Sequence, residues 1–237
     1  MERAGSVAVN VAAIRARIAR AAERAGRDPA SVCLVGASKS QPFPLIEAAI
    51  AAGVTDIGEN YVQEAIGKRA RVQGAARWHL IGHLQRNKAA RAVDTFDVIQ
   101  TLDTAALASV LDRLGAERNR VIPVLIEVNV GGEASKRGVA PAGLADLLGA
   151  LRPLRHLRID GLMSVPPAGT AEATRPFFRS LRELRDRHGL VELSMGMSDD
   201  FEVAIEEGAT MVRIGRAIFG ERTSGAGVSH RSGPETP

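Results

Sequence analysis

Short apolar runs and longer amphipathic stretches alternate along the whole chain. Runs of strand character fall at 32–37, 56–59, 78–82, 98–101, 121–130, 159–165, 192–195 and 211–214, all but the ten-residue fifth the length of a buried strand. Between them the apolar positions recur at helical spacing over 45–52, 61–72, 85–92, 104–114, 142–151, 173–188 and 199–207. Gly53, Gly115, Gly189 and Gly208 stand just past four of these helices, where a left-handed cap is expected. An arginine-rich amphipathic stretch around Arg15, Arg17 and Arg20 predicts one further helix before the first strand. Eight strands separated by helices predict a parallel TIM-type (β/α)8 barrel, with a doubly wound open sheet as the second reading. No linker divides the chain and no close repeat is visible. One domain is expected over 1–221, followed by a disordered tail at 222–237, where periodicity stops.

A barrel makes a sharp demand, because functional residues belong after the strands, at the C-terminal face. Polar and glycine-rich residues gather there. Lys39 follows the first run and Glu59-Asn60-Tyr61 ends the second. His83-Leu84-Gln85-Arg86-Asn87-Lys88 follows the third, and Asn129 closes the fifth. Met163-Ser164, Met195-Gly196-Met197-Ser198 and Arg213-Ile214-Gly215-Arg216 end the sixth, seventh and eighth.

Composition narrows the function classes. Aromatic residues make up 3% of the chain, too few for the stacking platforms of a single-stranded nucleic-acid binder. The net charge of +4 rests on arginines interleaved with apolar residues, which reads as solvated helix faces and argues against nucleic acid as a partner. The single cysteine, Cys33, lies inside the first apolar run, so no disulfide framework or thiolate role is expected. No apolar run reaches the length of a membrane span, and no signal-peptide pattern opens the chain. A cytoplasmic protein is the expectation.

Lys39 is the strongest chemical candidate. An amine at the mouth of a buried strand can lose its proton through desolvation and attack a carbonyl to form a Schiff base; the alternative is a solvated lysine that merely ends a strand. Lys88 and Lys136 are its nearest rivals. Glycine-containing turns after the seventh and eighth strands suit phosphate, and Ser198 there can face an anion, cap the next helix, or do both. Asp199 and Asp200 would repel a phosphate and are expected to point away. Arg213, inside an apolar strand, needs a partner: a phosphate or a ring nitrogen would serve. His79 and His83 share no helix face and no metal site is expected. A serine-hydrolase elbow and a phosphate-binding Walker loop are both missing from the sequence. A Schiff-base lysine with a phosphate site in one barrel points to pyridoxal phosphate or to a Schiff-base aldolase.

At this point the chain resembles the pyridoxal phosphate homeostasis proteins, which share the barrel of the alanine racemase N-terminal domain. The resemblance rests on Ala37-Ser38-Lys39, Ile57-Gly58-Glu59-Asn60-Tyr61-Val62-Gln63-Glu64 and Trp78-His79-Leu80-Ile81-Gly82-His83-Leu84-Gln85-Arg86-Asn87-Lys88. It continues through Glu127-Val128-Asn129, Ser135-Lys136-Arg137-Gly138, Gly161-Leu162-Met163, Leu193-Ser194-Met195-Gly196-Met197-Ser198 and Val212-Arg213-Ile214-Gly215-Arg216. These motifs keep one order from residue 32 to 220. A departure occurs at Asn129-Val130-Gly131-Gly132-Glu133, where a serine is expected before the second glycine.

The resemblance implies that Lys39 bears pyridoxal 5'-phosphate as a Schiff base. Ser198 and the backbone at Gly215 and Arg216 would hold the phosphate, with Asn60 near the ring and Arg213 at its nitrogen. It also implies a cofactor-binding homeostasis protein of the vitamin B6 pool, without catalytic residues, with pyridoxal-phosphate-dependent client enzymes as partners. An amino-acid racemase is the alternative. Racemases of this fold use a tyrosine from a second domain, whereas the only tyrosine here is Tyr61 and the chain is expected to end with its barrel. A monomer is the expected state.

Overall fold

The computed structural model describes residues 2–220; the tail expected at 222–237 lies outside the described residues. The strands are β1 (Cys33–Ala37), β2 (Asp56–Glu59), β3 (Arg77–Leu80), β4 (Val98–Leu102), β5 (Ile122–Glu127), β6 (Leu157–Met163), β7 (Glu192–Ser194) and β8 (Met211–Ile214). They pair in parallel in chain order, and β8 returns to β1 with Cys33 opposite Met211 and Val35 opposite Arg213. The sheet is therefore a closed barrel, and the open-sheet reading falls.

The helices are α1 (Glu2–Arg24), α2 (Phe43–Ala51), α3 (Val62–Arg69), α4 (Ala89–Thr95), α5 (Ala105–Glu117), α6 (Leu144–Leu151), α7 (Ala171–Arg187), α8 (Phe201–Glu206) and α9 (Arg216–Phe219). The helix expected at 45–52 starts two residues earlier, across a proline. α2 begins at Phe43 with Pro44 in its first turn, where a missing N–H loses no intrahelical bond. The helix expected at 85–92 is a 3-10 turn, Arg86–Lys88, leading into α4. β5 stops at Glu127 instead of 130, because Asn129 donates to the carbonyl of Glu133 and bends the chain into a loop.

α1 shows how the helical layer is held. Val7, Val11, Ile14 and Ile18 form a buried stripe that packs on α2, α8 and α9, each such side chain contributing roughly 1.5–3 kcal/mol on burial. Val35, Leu125, Met163 and Met211 come from strands on different sides of the barrel yet pack on one another, so they fill its interior. Beside them the interior is polar: His79, Gln100 and Ser194 are fully buried there, with Arg213 nearly so. A barrel core is usually closed by branched apolar layers. The polar layer here lies directly beneath the mouth.

Candidate functional site

The C-terminal mouth opens into a cavity of about 290 Å³, the low end for a small-molecule site. All six residues singled out from the sequence line it: Lys39, Asn60, Ser198, Arg213, Gly215 and Arg216. They arrive from the ends of β1, β2, β7 and β8, as barrel topology brings them.

Lys39 is half-buried, and its ammonium stands 5.0 Å from the centre of the Tyr61 ring, within cation–π range. The segment around it is clamped from below. Ser38 donates to Glu59 Oε1 at 2.5 Å. Lys68 Nζ, itself buried, reaches Glu59 Oε1 at 2.5 Å, Glu64 Oε1 at 2.7 Å and the Ser38 carbonyl at 2.6 Å. On the other side of Lys39, Ser40 has a left-handed backbone (φ 59°), uncommon outside glycine, and its N–H donates to Glu64 Oε1 at 2.7 Å. The spacing Glu59, Glu64, Lys68 is thus a device that fixes both neighbours of Lys39. Burial pushes the Glu59 carboxyl upward, and the pull of Lys68 only partly offsets it. Sequence reasoning missed this cluster; the strand-end Glu59 and the α3 positions of Glu64 and Lys68 were its signal.

The rival lysines are placed elsewhere. Lys88 lines a neighbouring cavity of about 500 Å³, which shares Asn60 with the first. Lys136 donates to the Pro166 carbonyl at 2.8 Å and pairs with Glu133 at 2.5 Å. Asn60 is located by close packing, since a Cβ on Gly82 would fall 2.3 Å from the Asn60 carbonyl oxygen; only glycine lets the β3 loop approach so near.

On the opposite wall, Gly196 adopts φ +89°, and Asp200 Oδ1 accepts from the Met197 N–H at 2.6 Å. The Arg213 N–H donates to the Gly196 carbonyl at 3.0 Å, tying the turn after β7 to β8. Ser198 does not cap a helix: α8 starts at Phe201 with Asp200 at its N-cap position, which leaves the Ser198 hydroxyl on the cavity wall. Asp200 turns inward to the backbone, but Asp199 lines the cavity and accepts from Arg216, contrary to the expectation that both acids point away.

Arg213 forms the floor. It is 4% exposed, with Nη1 donating to Ser194 Oγ at 2.7 Å and Nη2 to the Ser164 carbonyl at 2.9 Å. Burial lowers the guanidinium to about 10, with Glu127 and Asp200 opposing the shift, so it remains charged at neutral pH. Gln41, unforeseen in the sequence, lines the wall with its buried Oε1 unpartnered. A buried acceptor of this kind suits a ligand's hydrogen-bond donor. The cavity thus offers an amine at one end, serine and main chain at the other, and a buried cation beneath, a donor set that fits pyridoxal phosphate. Among the described residues no cluster of three metal-ligating side chains occurs, and no helix is long and apolar enough to cross a membrane.

Comparison with known proteins extends this picture. A family model described as "Alanine racemase, N-terminal domain" matches residues 9–223. A "Pyridoxal phosphate homeostasis protein" of Pseudomonas aeruginosa is 46% identical over 231 residues, covering 94% of this chain and 99% of that protein. PipY of Synechococcus elongatus, solved with PLP bound, superposes with a TM-score of 0.79 at 39% identity, covering 90% of this chain and all of that one. An alanine racemase of Clostridium difficile shares the fold, with a TM-score of 0.69 at 12% identity over 91% of this chain and 57% of its own.

Proposed function

The chain belongs to the family of the alanine racemase N-terminal domain, and on that premise we propose that it binds pyridoxal 5'-phosphate and serves vitamin B6 homeostasis as a carrier. The observation that carries this reading is the convergence of Lys39, Asn60, Ser198, Arg213, Gly215 and Arg216 on one cavity, in a chain related to proteins named for this role. Lys39 holds the cofactor as a Schiff base. Ser198 and the main chain at Gly215 and Arg216 take the phosphate, Asn60 lies beside the ring, and Arg213 faces the ring nitrogen. When bound, the cofactor supplies an aldehyde and an electron-withdrawing ring.

The protein's own residues favour holding over turnover. Arg213, cationic and donor-only, keeps a facing nitrogen unprotonated, which weakens the ring as an electron sink. Tyr61, the single tyrosine, stands beside Lys39 and so supplies no second acid–base group across the cavity from it. We therefore assign a carrier with racemisation of alanine or serine at background, and further propose a monomer in the cytoplasm whose partners are pyridoxal-phosphate-dependent enzymes. Borohydride reduction of the loaded protein should leave a phosphopyridoxyl group on the Lys39 peptide, and Lys39→Ala should abolish the label. Label on Lys88 or Lys136 overturns the assignment; racemase turnover that disappears in Lys39→Ala overturns the carrier role.

A further inference from the structure

Beneath Arg213 a file of buried side chains crosses the barrel. Arg213 Nη1 lies 2.7 Å from Ser194 Oγ, which lies 2.6 Å from Gln100 Oε1. Gln100 Nε2 is 2.9 Å from His79 Nδ1, and His79 Nε2 is 2.8 Å from Asp56 Oδ1. The five residues sit on β8, β7, β4, β3 and β2 and are 0–4% exposed. Asp56 anchors the far end, accepting also from Thr55 Oγ1 at 2.6 Å and Arg77 Nε at 2.8 Å. Burial pushes its carboxyl up, but the hydrogen bonds it accepts, that from His79 first and then that from Thr55, lead the opposing influences and hold it well below the usual range.

The direction of donation follows from chemistry. An arginine has no acceptor atom, so Arg213 donates to Ser194 and the Ser194 proton goes to Gln100 Oε1. The Gln100 amide N–H then goes to His79 Nδ1, so a neutral imidazole carries its proton on Nε2 and gives it to Asp56. Reversing the amide would strip the Ser194 proton of this acceptor and would require a doubly protonated His79. Arg213 itself touches no carboxylate, since Glu127 and Asp200 act on it only through space. Its hold is the Ser194 lone pair and the Ser164 carbonyl, and the first of these is aimed by Gln100.

We propose that Gln100 and His79 are positioning residues for Arg213, aiming its guanidinium at the cavity through the Ser194 hydroxyl. The consequence for the cofactor rests on the reading of Arg213 as partner of the ring nitrogen. The direction of donation can be tested without cofactor. In the cofactor-free wild-type protein, nitrogen NMR should find His79 protonated on Nε2 and accepting at Nδ1; protonation on Nδ1 overturns the proposal whatever the cofactor does. Gln100→Met removes the acceptor of the Ser194 proton and should weaken pyridoxal 5'-phosphate binding about tenfold, the upper end for one lost hydrogen bond between neutral groups. It should also shift the long-wavelength absorption band of the bound cofactor. Gln100→Glu keeps the acceptor for Ser194 but gives up the N–H that His79 Nδ1 accepts, and should restore part of the affinity and of the band position. A role in packing alone predicts the reverse order, with Met tolerated and a buried Glu disruptive. A folded Gln100→Met protein with wild-type affinity and spectrum sinks the idea. If the wild type binds no cofactor, the proposed function fails while the NMR result on the free protein still decides the network.

Discussion

On the β1–β3 side of the cavity, the segment carrying Lys39 is gripped by Glu59, Glu64 and Lys68, charges brought from β2 and α3 and largely removed from water. On the β7–β8 side, the turns carrying Ser198 and Arg216 are shaped by their own backbone. Gly196 at φ +89° and the Asp200 cap on Met197 set the turn, while the Arg216–Asp199 pair above it is exposed. The lysine is therefore held by contacts distant in sequence, and the opposite wall by local conformation. Buried ion clusters fail steeply when one member is lost, whereas a backbone-built turn tolerates changed side chains but resists an added Cβ.

The largest effect should come from Lys68→Met, which leaves Glu59 buried without its cation and should cost about 3–5 kcal/mol, read as a lowered midpoint in urea. Adding Glu59→Gln should recover much of that loss. An unchanged midpoint in the single variant would break the contrast between the two sides. Next in size is Gly196→Ala. A Cβ there would lie 2.5 Å from the Ala204 Cβ, and with the left-handed backbone it should cost about 1–3 kcal/mol. A thermal melt matching wild type would show that the turn can relax after all.

Glu127 sharpens the comparison because it is a half-buried carboxyl at this mouth with no cation in contact. Burial first, then Asp103, pushes it up to about 7, and its Oε2 is unpartnered. The folded state thus keeps a proton that the unfolded chain releases near roughly 4.3. The stability tied to that proton is complete below the unfolded value and is lost as pH rises through 7. Glu127→Gln should remove this loss, so the variant's melting temperature should gain on wild type between about pH 5 and pH 8. Parallel curves would show that Glu127 is solvated. The smallest effect on stability belongs to Ser198→Ala, which caps nothing in this structure. It should stay within about 0.5 kcal/mol of wild type while cofactor affinity falls about tenfold. A drop near 1 kcal/mol would instead reveal a capping role.

The barrel was legible because alternating strand and helix patterns, strand-end polar residues and the glycine stops at Gly53, Gly189 and Gly208 agree, although α5 runs on through Gly115, which is no cap; such agreement across levels marks a well-specified fold. The six lining residues were legible for the same reason: barrel topology sends every strand end to one face. Less visible were element edges. Pro44 looks like a breaker until its place in the first turn of α2 is known, and Ser198 looks like a cap until α8 is seen to start three residues later. Gln41 could not be found from sequence at all, because its burial on the wall depends on how the loop after β1 folds back.

By itself the sequence determined the order of strands and helices, the single domain and the ring of chemistry at the C-terminal mouth. Those follow from periodicity and local stop signals, which act between neighbours along the chain. Only the tertiary structure decided that Lys68 reaches under Lys39, that Asp199 pairs with Arg216 at the rim, and that Asp56, His79, Gln100, Ser194 and Arg213 form one file across the barrel. Hydrogen bonds are short and directional, and residues 56 and 213 come into one network only because β8 closes against β1.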